Sequence, residues 1–400
     1  AFIVGTKKKQ FISMSAVLRG ISWGHSRGIT PLLAASQRYE ELHKDVRIEW
    51  KKRSLQEFAD FPIEKLTEQY DLLIIDHPWV GCAAATRCVL PLNEYLPVSY
   101  LEEQAKHSVG YSHLSYFYDG AQWALAIDAA TPAASYRKDL LEDNNAAIPN
   151  TWEALIELAK RGKVAVPAIP IDLLMNFYSF CIVHGEYPFQ SEQQLIDLEV
   201  GVKAINSMKE LYSNIHSRFF ECNPIAVAEL MTQTNDYWYC PFAYGYSNYS
   251  RTGYASKPLH YCDVISINGE RLKTTIGGTG LAVSAFSKYK GIAVDFASWI
   301  VSPEMQRTFY MQHGGQPGHR KAWLDEAANE LTSNFFSNVL PVMDNGYVRP
   351  RYNGYLYFQD HAGLPLQECL LNNSDPVVAL EKMNWLYQQS IIRKQSIVAV

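Results

Sequence analysis

Hydrophobic residues recur along this chain at two spacings, one typical of helices and the other of buried strands. Residues 17–23 and 46–50 predict strands, and Leu72–Ile75 is a wholly apolar run that predicts a buried strand. Between the first two, Thr30 and Pro31 predict the start of a helix, because Thr is a favoured N-cap and Pro is favoured at the first helical position. This order predicts a parallel sheet covered by helices.

The same alternation restarts farther along the chain. Thr151 predicts the N-terminus of a helix, and residues 164–166 predict the strand after it. Residues 237–250 combine strand-forming aromatic residues with turn signals. Residues 277–321 open with a glycine turn that leads into a short apolar run and two helices, and Ser302 is the expected N-cap of the second helix. The pattern therefore predicts two α/β units.

Length and composition agree with two globular lobes. The chain has 400 residues, which is more than one ordinary hydrophobic core holds. Its residues are 48% hydrophobic and 19% charged, as in globular proteins. A net charge of −5 and the lack of a long Lys/Arg run give no basic surface for nucleic acid. No apolar stretch approaches the roughly 18 residues of a transmembrane helix.

The cysteines and the N-terminus bear on the compartment. Seven cysteines are an odd number with no zinc-like spacing, so we expect no metal site and no bridged pair; the closest two, Cys82 and Cys88, have a spacing that fits a disulfide poorly. Free thiols favour a reducing compartment. Residues 1–13 lack the uninterrupted apolar core of a signal peptide. Residues 1–15 are interpreted as an N-terminal arm. Two origins stay open for the chain start: residues 1–13 come from a vector and the native protein starts at Met14, or a signal peptide has already been removed.

Several segments resemble, in chain order, the family 1 extracellular solute-binding proteins, which are the substrate-binding subunits of ABC importers. The GGTGLAV of residues 277–283 resembles the strand with which that family re-enters its first lobe, and Ser302-Pro303-Glu304 resembles the opening of the covering helix. The resemblance implies an α/β, two-lobe periplasmic-binding-protein fold with a hinged interlobe cleft. The other similar segments are residues 17–30, 71–79, 119–128 and 149–168.

The resemblance and the order of elements divide the chain into two lobes. Two crossovers, near residues 126–130 and 274–280, are expected to form the hinge. We expect residues 16–127 and 280–330 to form the N-terminal α/β lobe, and residues 130–275 and 331–400 to form the C-terminal α/β lobe.

Candidate ligand contacts follow the predicted strands of the first lobe, because ligands of open α/β sheets bind beyond the carboxyl ends of the strands. Trp23 offers a stacking face and Arg27 a bidentate fork. The alternative is that Trp23 packs in the core and Arg27 is solvated. Asp76 is expected to accept hydrogen bonds from ligand hydroxyl groups; capping a helix that starts at Pro78 is its alternative role.

The remaining candidates come from the crossovers, from the second lobe and from the C-terminal segment. Three of these residues have an alternative role that stays open. Asp128 would cap the hinge, Gly278 would form a tight turn, and Arg351 would form a surface salt bridge. His25, Arg27, His77 and Arg351 together would make a cationic pocket, which suits a sugar acid as well as a neutral sugar. The full predicted set is Trp23, His25, Arg27, Asp76, His77, Trp79, Asp128, Trp238, Tyr244, Gly278, Thr279 and Arg351.

Two classes of function remain. The chain contains no GxxxxGK[ST], GxGxxG, GxSxG or HExxH motif, so we expect no catalytic residues and no cofactor. The resemblance implies a monomer in the periplasm or at the cell surface that binds a small polar solute, namely a carbohydrate, sugar acid or similar organic anion, and delivers it to ABC transporter membrane subunits. The alternative is a cytoplasmic enzyme or ligand sensor on the same fold, with Cys240 activated by His25 or His77.

Overall fold

The computed structural model describes residues 16–54, 57 and 62–396, with backbone alone for residues 394–396. The predicted N-terminal arm, residues 1–15, lies outside the described residues. None of the helices in the described part of the chain combines the length and the apolar character that crossing a bilayer requires.

Strands and helices alternate through most of the chain. The strands are β1 Ala16–Trp23, β2 Val46–Arg53, β3 Leu72–Ile75, β4 Phe117–Tyr118, β5 Ala121–Gln122, β6 Leu125–Ala130, β7 Pro132–Tyr136, β8 Tyr239–Tyr244, β9 His260–Cys262, β10 Ser266–Ile267, β11 Glu270–Arg271 and β12 Gly277–Val283. The α-helices are α1 Ser26–Leu42, α2 Ile63–Leu66, α3 Val80–Thr86, α4 Val98–Lys106, α5 Ser112–Ser115, α6 Lys138–Asp143, α7 Trp152–Lys160, α8 Pro170–Val183, α9 Leu198–Tyr212, α10 Pro224–Gln233, α11 Lys290–Ile300, α12 Pro303–Met305, α13 Arg320–Trp323, α14 Glu326–Leu331, α15 Phe335–Asp344, α16 Tyr355–Asn372 and α17 Pro376–Ser396. Short 3₁₀ turns occupy His77–Trp79, Leu92–Glu94, Ser217–Glu221 and Ser247–Ser250, and a π-helical stretch, Gln306–Tyr310, continues α12.

The first lobe is built on a five-stranded sheet with the order β2-β1-β3-β12-β6. β1 lies parallel to both β2 and β3, as predicted, whereas β12 runs antiparallel to β3 and β6. All four residues of β3 are buried, as its apolar run predicts. The carboxyl ends of β1 and β3 therefore lie at the same edge of this sheet.

The second lobe contains a three-stranded sheet with the order β8-β7-β9. One residue, Thr131, separates β6 of the first sheet from β7 of the second. The chain returns to the first sheet through Thr274 and Thr275 into β12, and the Thr131 and Thr274 hydroxyl groups lie 2.7 Å apart. The two connections predicted to form the hinge are therefore neighbours, whereas the residue boundaries of the lobes stay a prediction.

Two local predictions are wrong. α1 begins at Ser26, with His25 as its N-cap, and Pro31 lies inside the helix. The His25 Nδ1 atom accepts a hydrogen bond from the Arg27 backbone N–H and so replaces the Thr30 cap that the Pro signal suggested. The glycines at 277, 278 and 280 form no turn before a strand. They belong to β12, and between Thr279 and Gly280 the register shifts because Ile127 of the partner strand β6 is left without a pair, which places the bulge in β6.

Candidate ligand-binding site

A cavity of about 230 Å³ lies between the two lobes, beside the hinge connections. The first lobe contributes the carboxyl end of β1 and Asp76, which follows β3; the second contributes the N-terminal ends of α8 and α10. The cavity lies at the strand edge where sheet geometry places ligands. Drug-sized ligands occupy pockets of about 300–1,000 Å³, so this cavity suits a smaller molecule. We call this cavity the cleft.

A larger and more open groove of about 920 Å³ runs over the second lobe. It is formed by the end of α8, by β11 and by α15, and Tyr187, Lys273 and Asp344 line it. No carboxyl end of the first sheet reaches this groove, so we take the cleft as the candidate site.

Arg27 is fixed in the wall of the cleft by the first of two ion pairs. Its Nε and Nη2 atoms donate to the two carboxylate oxygens of Asp128 at 2.8 and 2.6 Å, and Nη1 donates to the Gly245 carbonyl at 2.9 Å. Burial alone would lower the pKa of Arg27, but the Asp128 carboxylate raises it above its usual value. Arg27 is therefore a permanent cation whose charge is matched within the protein.

The second ion pair joins the first lobe to the C-terminal segment. Arg349 donates from Nη2 to both carboxylate oxygens of Asp76, at 2.6 and 2.8 Å, and from Nη1 to Gln359 at 2.8 Å. Burial would raise the pKa of Asp76, but Arg349 and the His77 contact hold it well below its usual range. The Arg349 Nε atom has no hydrogen-bond partner among the described residues, which leaves one N–H donor for a ligand.

Aromatic rings form the apolar part of the wall. Tyr246 meets Trp23 edge to face at a centroid distance of 5.9 Å, and the Arg27 guanidinium lies over both rings. The Tyr244 hydroxyl bonds to Thr275 at 2.9 Å, and its ring leaves no room for a Cβ atom at Gly277. These rings give the apolar faces on which polar cyclic solutes stack.

Asp172 has no comparable partner. It lies in the first turn of α8, it is 6% exposed, and its Oδ2 atom has no hydrogen-bond partner among the described residues. Burial raises its pKa to about 8. No cation in the described part of the chain pairs with this carboxyl group of the cleft.

Half of the predicted contacts line the cleft. Thr279 and Gly278 belong to β12, and Gly278 has a φ of 88° that favours glycine. Asp76 lines the cleft and also caps the 3₁₀ turn that begins at His77, whereas its contact with ligand hydroxyl groups stays a prediction. The predicted residues that line the cleft are Trp23, Arg27, Asp76, Tyr244, Gly278 and Thr279.

Three other predicted residues lie behind the wall. Asp128 is 2% exposed beneath Arg27, so it acts on the cleft through that arginine. His25 caps α1 and stacks on Trp23 at 5.7 Å, and burial together with Arg27 lowers its pKa to about 4. His77 is fully buried, and burial and Arg349 lower its pKa to about 4. Both histidines are therefore neutral at neutral pH, and the predicted cationic pocket is wrong.

Trp79, Trp238 and Arg351 lie elsewhere, contrary to their prediction. Trp79 packs into a core cluster of the first lobe. Trp238 precedes β8 and lies beneath Arg161. It cannot share a site with Tyr244, because the strand between them spans about 20 Å at 3.3 Å per residue.

Arg351 binds the backbone carbonyls of Leu114 and Phe117 at 2.8 and 2.6 Å. Arg349, two residues earlier in the chain, takes the place in the cleft wall that was expected of Arg351. Arg351 therefore ties the C-terminal segment to the first lobe.

The predicted set of site residues omits Asp172, Arg349 and Tyr246, although Tyr246 belongs to the aromatic segment expected to face the cleft. One signal was available for Asp172, since it is the only charged residue type in the largely apolar run PIDLLMNFYSFCIV of α8. Tyr246 was one aromatic among several between 237 and 250, and no pattern distinguished it.

The proposed nucleophile Cys240 does not fit a catalytic role. It is 1% exposed in β8, opposite Ser135. Burial raises its pKa to about 12. The thiol therefore keeps its proton at neutral pH and is not an activated nucleophile.

Comparison with known proteins extends over most of the chain. A profile of a family described as bacterial extracellular solute-binding protein matches residues 34–332. The structure of maltose-bound MalE3 from T. maritima is similar with a TM-score of 0.81 and 18% identity, over 94% of this chain and 100% of that one.

Two further solved structures show similar agreement. An ABC transporter solute-binding protein from Agrobacterium radiobacter in complex with ribitol has a TM-score of 0.79 and 19% identity, over 96% of this chain and 99% of that one. An ABC transporter solute-binding protein from Thermotoga lettingae bound with alpha-D-tagatose has a TM-score of 0.78 and 15% identity, over 94% and 100%. These likenesses confirm the predicted two-lobe α/β fold.

Proposed function

This chain belongs to the bacterial extracellular solute-binding proteins, and we propose that it binds a small polyhydroxylated solute, a sugar or a polyol, in the cleft. The family resemblance predicted from the sequence is thereby confirmed. The observation that carries the proposal is the cleft itself, which combines stacking rings with fixed polar groups at the hinge between the lobes.

The chemistry of the wall supports a polyhydroxylated ligand. Trp23 and Tyr244 offer apolar faces, whereas Asp76 and the Nε atom of Arg349 offer an acceptor and a donor. The similar structures bound to maltose, ribitol and tagatose support the same ligand class. The cavity volume of about 230 Å³ favours a solute near the size of a monosaccharide.

We further propose that the protein delivers its ligand to the membrane subunits of an ABC importer and acts as a monomer, without catalysis and without nucleic acid. The periplasm or the cell surface is the corresponding location. Ligand binding then favours the closed arrangement of the lobes, because the ligand gains contacts with both walls. The cytoplasmic enzyme or sensor stays the alternative, and the high pKa of Cys240 counts against its enzymatic form.

A screen followed by a matched pair of variants tests this function. Thermal shifts across sugars, polyols, sugar acids and organic acids identify solutes that bind the native state. Calorimetric titration of the best sugar or polyol then compares Trp23→Ala with Trp238→Ala. Both remove a buried Trp, at 3% and 5% exposure, but only Trp23 lines the cleft.

We expect Trp23→Ala to weaken binding by about 1–3 kcal/mol, because a stacking face is lost. Trp238→Ala should lower stability and leave the affinity of the folded protein unchanged. Equal affinity losses in both variants, or none in Trp23→Ala, would place the ligand elsewhere.

A further inference from the structure

The cleft contains a carboxyl group without a cationic partner in the part of the chain that the structure describes, and the proposed function does not use this group. Among the described residues that line the cleft, the arginines and carboxylic acids are Arg27, Arg349, Asp76 and Asp172. Arg27 is matched by Asp128 behind it, and Arg349 is matched by Asp76. Asp172 is therefore the carboxyl group left over.

The groups packed around Asp172 do not supply the missing charge. The ionisable groups whose pKa the Asp172 charge raises are Tyr212 from α9, Cys240 and Tyr244 from β8, and Tyr246 after that strand. Burial raises the pKa of all four, so each is neutral at neutral pH. The N-terminus of α8 favours the ionised form of Asp172, but burial outweighs it and raises the pKa to about 8.

A buried carboxyl group without a partner is costly to ionise and so keeps a proton in the empty cleft. An ammonium group beside it removes that cost and forms a charge-assisted hydrogen bond with its carboxylate. A hydroxyl group forms a weaker, neutral hydrogen bond, and a carboxylate adds repulsion. Asp172 therefore ranks solutes by affinity, with an amine above a neutral hydroxyl compound and a carboxylate lowest.

Building on the proposed function, we propose that Asp172 is the specificity-determining residue of the cleft and that it selects a polyhydroxylated solute with an amino group. The neutral form of the same solute binds less tightly, and the acidic form binds least. The hydroxyl groups of the solute take the Arg349 Nε–H and the polar groups of β12, and its amino group donates to Asp172.

Matched probes with one carbon skeleton test this ranking by calorimetric titration at neutral pH. The first series is glucosamine, glucose and glucuronate, and the second is glucamine, glucitol and gluconate. Within each series that binds, we expect the amine to bind at least about tenfold more tightly than the neutral member, as one charge-assisted bond predicts. Titration in buffers of different ionisation enthalpy should show a proton released as the amine binds, because the ammonium displaces the proton of Asp172.

Two variants locate the effect. Asp172→Asn keeps the shape of the side chain and should abolish both the preference for the amine and the proton release. Asp143→Asn removes an exposed carboxylate of α6 in the same lobe and should change neither. The probe series and the proton release on the unaltered protein keep the test valid even where Asp172→Asn folds poorly.

The outcomes separate this inference from the function on which it rests. Binding of the neutral or acidic members with no preference for the amine overturns the role of Asp172 and leaves the solute-binding function intact. A preference that survives in Asp172→Asn overturns it as well. Failure of every probe and of every sugar and polyol in the wider screen contradicts both proposals.

Discussion

Arg27 and Arg349 are both buried in the cleft wall, but they have different freedom to bind a ligand. Every guanidinium nitrogen of Arg27 donates to Asp128 or to the Gly245 carbonyl, whereas Arg349 keeps an unpartnered Nε. Arg27 therefore acts mainly as a fixed part of the wall, packed against the Trp23 and Tyr246 rings. Among the described residues, the Arg349 Nε–H is without a partner and can donate a hydrogen bond to a ligand.

The Arg27–Asp128 pair predicts a large stability effect. Asp128→Asn leaves the buried Arg27 charge uncompensated, so we expect it to lower the free energy of unfolding by about 3–5 kcal/mol. Urea denaturation measures this change. The exposed control Asp143→Asn should stay within about 0.5 kcal/mol of the unaltered protein. Similar stabilities for the two variants would mean that Arg27 finds another partner or water.

Single residues also show where sequence reasoning about the site stops. The rule for strand ends placed Trp23, Arg27 and Asp76 correctly at the cleft, because position along a strand fixes which edge a residue reaches. It could not choose between Arg349 and Arg351, since both belong to an irregular segment with no fixed periodicity. Asp172 was missed because its importance comes from lacking a partner, which only tertiary structure reveals.

Among the elements, β12 combines several requirements in one strand. It pairs with β3 and β6, it forms part of the cleft wall, and it carries the chain back from the second lobe. At Gly278 the backbone has a φ of 88°, and an added Cβ would lie 2.4 Å from the Asp128 carbonyl oxygen. The apolar strand was predicted here, but its glycines predict a turn because a glycine with positive φ is typical of turns, whereas Gly278 adopts this conformation within a strand.

Two glycine variants separate the effect of backbone strain from the effect of close packing. Gly269 lies in the turn between β10 and β11, and Gly278 lies in β12. Gly269→Ala introduces strain alone, because φ is 82° and nothing lies within 4 Å of the new Cβ atom. We expect it to cost about 1–2 kcal/mol of unfolding free energy. Gly278→Ala should cost clearly more and also weaken ligand binding, since the strand must shift away from Asp128. Thermal unfolding and titration compare the two, and equal costs would show that β12 adjusts freely.

Helices were predicted best where a cap and a periodic apolar face agree. Thr151 caps α7 and Ser302 caps α12 as expected, each through its side-chain hydroxyl group. The predicted start of α1 is five residues late because Thr30 and Pro31 form a standard start signal, whereas the actual cap is the His25 ring. A histidine cap gives little signal in sequence because it is not among the favoured N-cap residues.

For the molecule as a whole, the lobes are joined by more than the two predicted connections. The segment after β8 contacts the first lobe through the Asn248–Gly314 and Arg251–Met311 hydrogen bonds. The C-terminal segment contacts it through Arg349 and Arg351. The overall two-lobe plan was predictable from the alternation of strands and helices, but these added contacts arise from irregular segments.

The cysteines supply a measurement on the entire chain. All seven are free thiols in the structure, but Cys82 and Cys88 are close enough for contact with Cys88 to raise the pKa of Cys82. Arg87 ends α3 in a left-handed conformation between the two cysteines, so this stretch of chain is neither helical nor extended throughout. Thiol titration of the denatured, unreduced protein should find seven. A count of five, restored to seven by prior reduction, would contradict this and indicate an oxidising compartment.

The position of β12 in the first sheet also governs the order in which the chain can fold. The Ser284 hydroxyl group donates to the Thr67 carbonyl across 217 residues of sequence, and Leu281 pairs with Ile74. During synthesis, the apolar strand β3 therefore emerges long before the strand that covers its edge. Contacts so distant in sequence slow folding, and an exposed strand edge can pair with other chains. Until residues 277–283 arrive, the first lobe of the nascent chain is unfinished and open to capture by a chaperone, whereas the inserted second lobe already has its three strands.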